Sequence, residues 1–231
     1  MAQQFVPDVL YEDNHLLVVN KPVGMLVQGD ETGDVPITEH YKSYLKVKYN
    51  KPGNVFLGLV HRIDRPVSGV MVLAKTSKAM QRLNKQFKNK HPEKIYFAIV
   101  KNMPAEKSAH LKHYLKKNRE QNKSYVVDQH TEGAKFAELK YEHIASSDTY
   151  HLLKVELLTG RHHQIRCQLA HCGCPIKGDL KYGFPRSNKD GSISLHAGRL
   201  GLEHPVRKEN ISFSAPFPST DVLWNLFRQF V

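Results

Sequence analysis

Two stretches of this 231-residue chain gather side chains that could do chemistry. In HRIDRPVSG (61–69) a single carboxylate, Asp64, stands between Arg62 and Arg65. Neighbouring cations favour the ionised form of a carboxylate. Asp64 should therefore be charged near neutral pH and able to act as nucleophile or base. The same spacing suits a loop aspartate that only pairs with an arginine. The second stretch, TGRHHQIRCQLAHCGCPIKGDLKYG (159–183), puts Arg161 at a helix start and Arg166 one turn further in, with Gln164 between them. Guanidinium forks fit phosphates and distant carboxylates alike, and a solvated basic helix face would carry the same residues.

The second stretch also raises the question of a metal, because His163, Cys167 and His171 recur every four residues and Cys172 and Cys174 follow. Structural zinc usually takes cysteine pairs separated by about two to four residues. Cys172-Gly-Cys174 is tighter than that, and its neighbours Ile165, Leu169 and Ala170 are apolar, so the cysteines read as small core residues and no metal is expected. His-Arg-Asp also occurs in protein kinase loops, but the spacing differs and no Gly-rich loop or Asp-Phe-Gly accompanies it.

These segments need a frame. HLLVVNKP (15–22) reads as a buried strand entering a Lys-Pro turn, and VFLGLV (55–60) and VMVLAK (70–75) as strands on either side of the Asp64 loop. Helical spacing covers 36–49, with Ile37, Tyr41, Tyr44 and Leu45 on one side. It recurs over 77–90, with Met80, Leu83 and Phe87 as the apolar stripe and Ser77 as candidate N-cap. KIYFAIV (94–100) and YHLLKVELL (150–158) are strands, 108–150 is hairpin-like, and 162–173 is a short helix that Gly173 could end. A strand near SLHAGRLGLEH and a C-terminal helix with Val222, Leu223, Leu226 and Phe227 inward complete the chain. Strands and helices mix without regular βαβ alternation, which points to α+β.

Lys plus Arg total 34 against 22 acidic residues, a formal charge of +12. Such an excess attracts phosphate backbones regardless of their sequence. The polar segment 101–125, with Lys101, Lys107, Lys112, Lys116, Lys117, Arg119 and Lys123, is a candidate contact surface or else a solvated loop. No run approaches the ~20 apolar residues of a membrane span, and the N-terminus lacks a secretory pattern. Three clustered cysteines make a poor disulfide framework and fit a reducing cytoplasm.

Taken together, HLLVVNKPVGMLVQ, LVHRIDRPVSGVMVLAKT, KIYFAIV, TGRHHQIRCQLAHCGCPIKGDLKYG and SLHAGRLGLEHP resemble, in order, the motifs of the RluA-type RNA pseudouridine synthases over about residues 10–217. The resemblance implies a catalytic fold with a bent mixed, mainly antiparallel β-sheet flanked by helices. It implies an isomerase that turns uridine into pseudouridine in structured ribosomal or transfer RNA by base flipping. Asp64 would be the essential aspartate, and Arg62 would fill the gap left by the flipped nucleotide. Tyr96 would stack on the base, and Arg166 would hold Asp64. Lys21, His61, Arg161 and Gln164 would shape the pocket or touch RNA. No cofactor is implied. One catalytic domain over 1–231, without the S4 RNA-binding domain of many members, is expected, acting as a cytoplasmic monomer with no obligate protein partner. A basic RNA-binding module without catalysis and a metal-dependent nuclease are the other classes weighed; the nuclease lacks a carboxylate cluster.

Overall fold

Strand, loop and helix boundaries follow the apolar runs closely. The computed structural model describes residues 5–29 and 33–230. Its contacts group the chain into two compact units, Met1–Pro92 with Arg199–Pro216 and Glu93–Gly198 with Phe217–Val231.

In the first unit, β1 (Val9–Glu12) pairs antiparallel with β2 (Leu16–Lys21). Helix α1 (Ile37–Lys48) buries Ile37, Tyr41 and Leu45. β3 is only Gly58–Leu59, so the expected strand over 55–60 shrinks to two residues paired with Leu73 and Ala74. β4 (Ser68–Ala74) pairs antiparallel with β2 from Leu16↔Ala74 to Lys21↔Gly69. Every β4 residue is buried, so the strand reads as an unbroken apolar run rather than an alternation. The register sets the end of β2, at Lys21, beside the start of β4, where the 61–69 loop arrives. Helix α2 (Ser77–Lys88) follows at once. Its cap is Thr76, whose Oγ1 accepts from the Ala79 amide at 3.2 Å, one residue before the expected Ser77.

The second unit is built on β5 (Glu93–Val100), β6 (Ser108–Asn118), β7 (Lys123–Val127), β8 (Lys135–Ser146) and β9 (His151–Leu157), in the spatial order β5-β9-β8-β6-β7. Successive side chains alternate between faces, and Tyr96 opposes Val155, which opposes Tyr141. That face is covered by α3 (Gln164–His171), whose Cys167 packs with Leu115, Ala137 and Tyr182. Gly173, at φ 77°, follows the helix as expected. The opposite face gathers Ile95, Phe97, Ile99 and Leu152 with Phe217, Trp224 and Phe227. The last two lie on α4 (Val222–Phe227), where Val222 and Leu226 point outward at 80% and 44% exposure. The inward stripe is therefore rotated from the expected one: Trp224 is the larger apolar surface, and its burial decides the face.

β10 (Leu195–Glu203) gives its first four residues to the second unit, where a Cβ on Gly198 would lie 2.5 Å from the Phe97 ring. The rest of β10 belongs to the first unit and pairs antiparallel with β11 (Asn210–Ser214). The outcome is the expected α+β class with a mixed, mainly antiparallel sheet and flanking helices.

Candidate active site

The Asp64 loop is held by its neighbours in the first unit. Asp64 and Val67 close a turn, the Val67 amide donating to the Asp64 carbonyl at 3.0 Å. Lys21, 0% exposed, donates its ammonium to the carbonyls of Pro22 (2.9 Å), Arg65 (3.2 Å) and Val67 (2.8 Å). Three acceptors match the three donors of a protonated lysine. Burial pulls this ammonium down to about 7, while the charge of Asp64 pushes it up and that of Arg65 pushes it down. Gly24 and Arg65 clamp the loop to the Lys-Pro turn in both directions: Gly24 N donates to Arg65 O, and Arg65 Nε donates to Gly24 O, each at 2.9 Å. Arg65 Nη2 also donates to Asp34 at 2.7 Å.

His61 Nε2 accepts from the Val72 amide at 3.0 Å, and its ring lies flat on Phe87 with centroids 4.8 Å apart. Both ends of the loop are thus pinned, with Asp64 half-buried and Arg62 exposed between them. Lys21 and His61 frame the loop. All three hydrogen bonds of the Lys21 nitrogen go to carbonyls of the loop and its turn.

The start of α3 makes a second assembly, in the second unit. Gln164 is buried, its Oε1 accepting from Thr159 Oγ1 (2.7 Å) and the Arg161 amide (3.0 Å), and its Nε2 donating to Glu138 O (3.1 Å). Arg161 Nε donates to Phe136 O at 2.8 Å. Both residues therefore brace the turn into the helix. Arg166, 5% exposed, forks onto Asp179 through Nε (2.7 Å) and Nη2 (2.9 Å), and Asp179 is 1% exposed. Its guanidinium lies 5.2 Å from the centre of the Tyr182 ring. Tyr182 Oη accepts from the Ser124 amide at 2.8 Å. Gly178 turns the chain into Asp179 at φ 87°, where a Cβ would meet Ser192 O at 2.8 Å.

His163 occupies the left-handed region at φ 51°, and its Nδ1 lies 3.2 Å from Tyr182 Oη. Burial holds its imidazole down at about 2, helped by the positive charges of Arg166, His162, Lys181 and Lys117, so it is neutral. Cys167 Sγ donates to Ser124 O at 3.2 Å, and burial pushes this thiol up to about 11. It behaves as a packed core residue.

The structure thus collects Asp64, Arg62, Lys21 and His61 on one loop frame, and Arg161, Gln164 and Arg166 on another. Tyr96, half-buried, lies on the α3 face of β5. Asp179, Tyr182 and Ser124 do not stand out from the sequence. The legible signal for Asp179 is the glycine before a lone acid in KGDLKYG; its burial against Arg166 is not readable from one chain.

These features can be set beside known proteins. The fold matches two solved pseudouridylate synthase domains. Against Human RNA Pseudouridylate Synthase Domain Containing 4 the TM-score is 0.78 at 25% identity, covering 96% of this chain and 92% of that one. Against Human RNA Pseudouridylate Synthase Domain Containing 1 it is 0.70 at 21% identity, covering 95% of this chain and 89% of that one, a likeness of fold. The sequence pattern described as RNA pseudouridylate synthase matches residues 15–171. The RNA pseudouridine synthase YlyB of Bacillus subtilis (strain 168) is 33% identical over 224 residues, 94% of this chain and 71% of that protein. The ribosomal large subunit pseudouridine synthase C of Buchnera aphidicola subsp. Acyrthosiphon pisum (strain APS) is 33% identical over 215 residues, 90% of this chain and 66% of that protein. The chain belongs to the RNA pseudouridylate synthase family, isomerases that act on RNA.

Proposed function

We propose that this chain converts uridine to pseudouridine in structured ribosomal RNA, with Asp64 as its catalytic carboxylate. The observation that carries the reading is the pinned loop: an acid left half-buried while Lys21, His61 and Arg65 fix the backbone around it. Pre-set geometry of this kind is what a reacting carboxylate requires. Ribosomal RNA is favoured over transfer RNA by the names of several relatives, which are ribosomal large subunit pseudouridine synthases.

The reaction breaks the C1′–N1 bond, turns the uracil and rejoins it through C5. No atom enters or leaves, so neither a redox cofactor nor a group donor is required. A stacked base cannot turn, so the nucleotide must be everted, at roughly a few kcal/mol, less in an unpaired loop. In this reading exposed Arg62 fills the vacated place in the RNA, and the Tyr96 ring stacks on the uracil. Arg166, fixed by Asp179, is in this reading a positioning residue rather than a reacting one. The whole chain works as one catalytic domain, a cytoplasmic monomer.

The test uses unmodified ribosomal and transfer RNA transcripts, with pseudouridines mapped chemically. Asp64→Asn should bind RNA as the parent does and form no product. Product at the parental level from that variant would remove the assignment, and product on transfer RNA alone would reassign the substrate.

A further inference from the structure

The β6–β7 hairpin carries charge that the chemistry at Asp64 does not use. Residues 112–127 hold Lys112, Lys116, Lys117, Arg119 and Lys123 against Glu120 alone. Lys116, Lys117 and Arg119 are exposed, and among the described residues no carboxylate pairs with them. Like charges crowded on one element repel one another and weaken the fold. A face of this charge attracts polyanions such as a phosphate backbone.

The hairpin is also rigid, which a merely solvated loop need not be. Its strands pair in register from Tyr114↔Val127 to Asn118↔Lys123. The Gln121 amide donates to Asn118 Oδ1 at 3.0 Å, Tyr125 donates its hydroxyl to Gln121 Oε1, and the Asn122 amide donates to Arg119 O at 3.2 Å. Two ties then fix the tip to the segment that bears Arg161 and Arg166. Lys181 donates to the carbonyls of Gln121 (3.3 Å) and Asn122 (3.2 Å), and the His162 ring bonds Asn122 Oδ1 and Ser124 Oγ, each at 3.0 Å. Tyr125, 40% exposed, stands opposite Lys116 with Lys123 over its ring. Along β6 the cations from Lys112 to Lys117 run about 17 Å at ~3.3 Å per residue, long enough to meet more than one phosphate.

We propose that this hairpin is an RNA-gripping arm, which takes the sugar–phosphate backbone of the structured flank beside the uridine and contributes binding rather than chemistry. It rests on the proposed function only for the identity of the polymer. The test measures affinity for a stem-loop RNA with a uridine-rich loop across a salt series, in the Asp64→Asn background so that turnover plays no part. Lys116→Gln/Lys117→Gln/Arg119→Gln should raise Kd at least about tenfold at low salt. It should also shrink the slope of log Kd against log salt by roughly two to three, near one for each phosphate that the hairpin no longer neutralises. The same removal of three charges at exposed positions of the first unit, Lys46→Gln/Lys51→Gln/Lys88→Gln, should leave most of the affinity and slope. Equal losses in both variants would mean that net charge alone binds RNA, and would overturn the proposal. So would an unchanged slope in the hairpin variant. Because no product is read, a failure of the Asp64 assignment leaves this measurement standing.

Discussion

The two units hold their functional groups in opposite ways. Around Asp64, main-chain carbonyls and one buried ammonium fix the path of the loop, and the acid itself is half-buried. At the start of α3 the side chains lock one another: Arg166 on Asp179, Gln164 on Thr159, Tyr182 on Ser124, nearly all out of solvent. The first arrangement uses backbone bonds to set the position of a carboxylate. The second stores charge where its loss is costly. Asp64 and Asp179 should therefore carry different stability penalties, and that difference can be measured.

The largest effect is expected at Asp179. Removing one partner of a buried ion pair leaves an uncompensated charge, which costs about 3–5 kcal/mol. Asp179→Ala should thus lower thermal stability by that order, whereas Asp64→Asn should shift it by less than about 1 kcal/mol. Equal melting losses would erase the contrast between the units.

Acid comes next. The folded His163 holds its pKa near 2, while an unfolded histidine takes a proton near its ordinary value of about 6.5. Below that value the unfolded chain binds the extra proton, so stability should start to fall as pH drops through the sixes. In the first unit Glu12 and Asp13 are held down at about 2, Glu12 by Lys48, Lys75 and Tyr49, and Asp13 by backbone amides and His204, against the opposing effect of burial. Their contribution is fully present above the ordinary carboxylate range and is lost only as pH falls towards 2. Denaturant melts across pH should resolve the two windows, and His163→Gln should shrink the first, to which His113 and His151, also held down by burial, contribute, and leave the second.

The smallest effect is expected at Arg65. Its bond to Asp34 joins two side chains that are 44% and 52% exposed, and such pairs contribute about 1 kcal/mol or less. Arg65→Ala, which also loses the exposed Nε bond to Gly24 O, should still lower stability by only about 1 kcal/mol. A loss as large as that of Asp179→Ala would show the loop to depend on this side chain rather than on Lys21.

The framework was legible because it rests on runs and periods. The strands at 16–21, 68–74 and 93–100 and the three longer helices fall where apolar spacing puts them. The misses share a cause, since tertiary packing overrode local pattern. Trp224 took the buried face that Val222 and Leu226 were expected to share, and Val55–Leu57 found no strand partner. At the site, Asp64 stood out by type and spacing, whereas Lys21 was named only through the family resemblance and its full burial was not legible. Asp179 did not stand out, because a lone acid in a polar loop looks the same whether solvated or sealed against a guanidinium. Gln164, named only through the resemblance, donates to the backbone of β8 and accepts from Thr159, a bracing that the sequence did not show.

The chain passes between its two units three times, at Pro92, Gly198 and Pro216. During synthesis neither core can close in order. The first unit waits for β11, made more than a hundred residues after α2, and the second waits for Phe217, Trp224 and Phe227 near the end. Each apolar surface is therefore completed by a segment distant in the chain, so both units depend on contacts of large sequence separation, which slow folding.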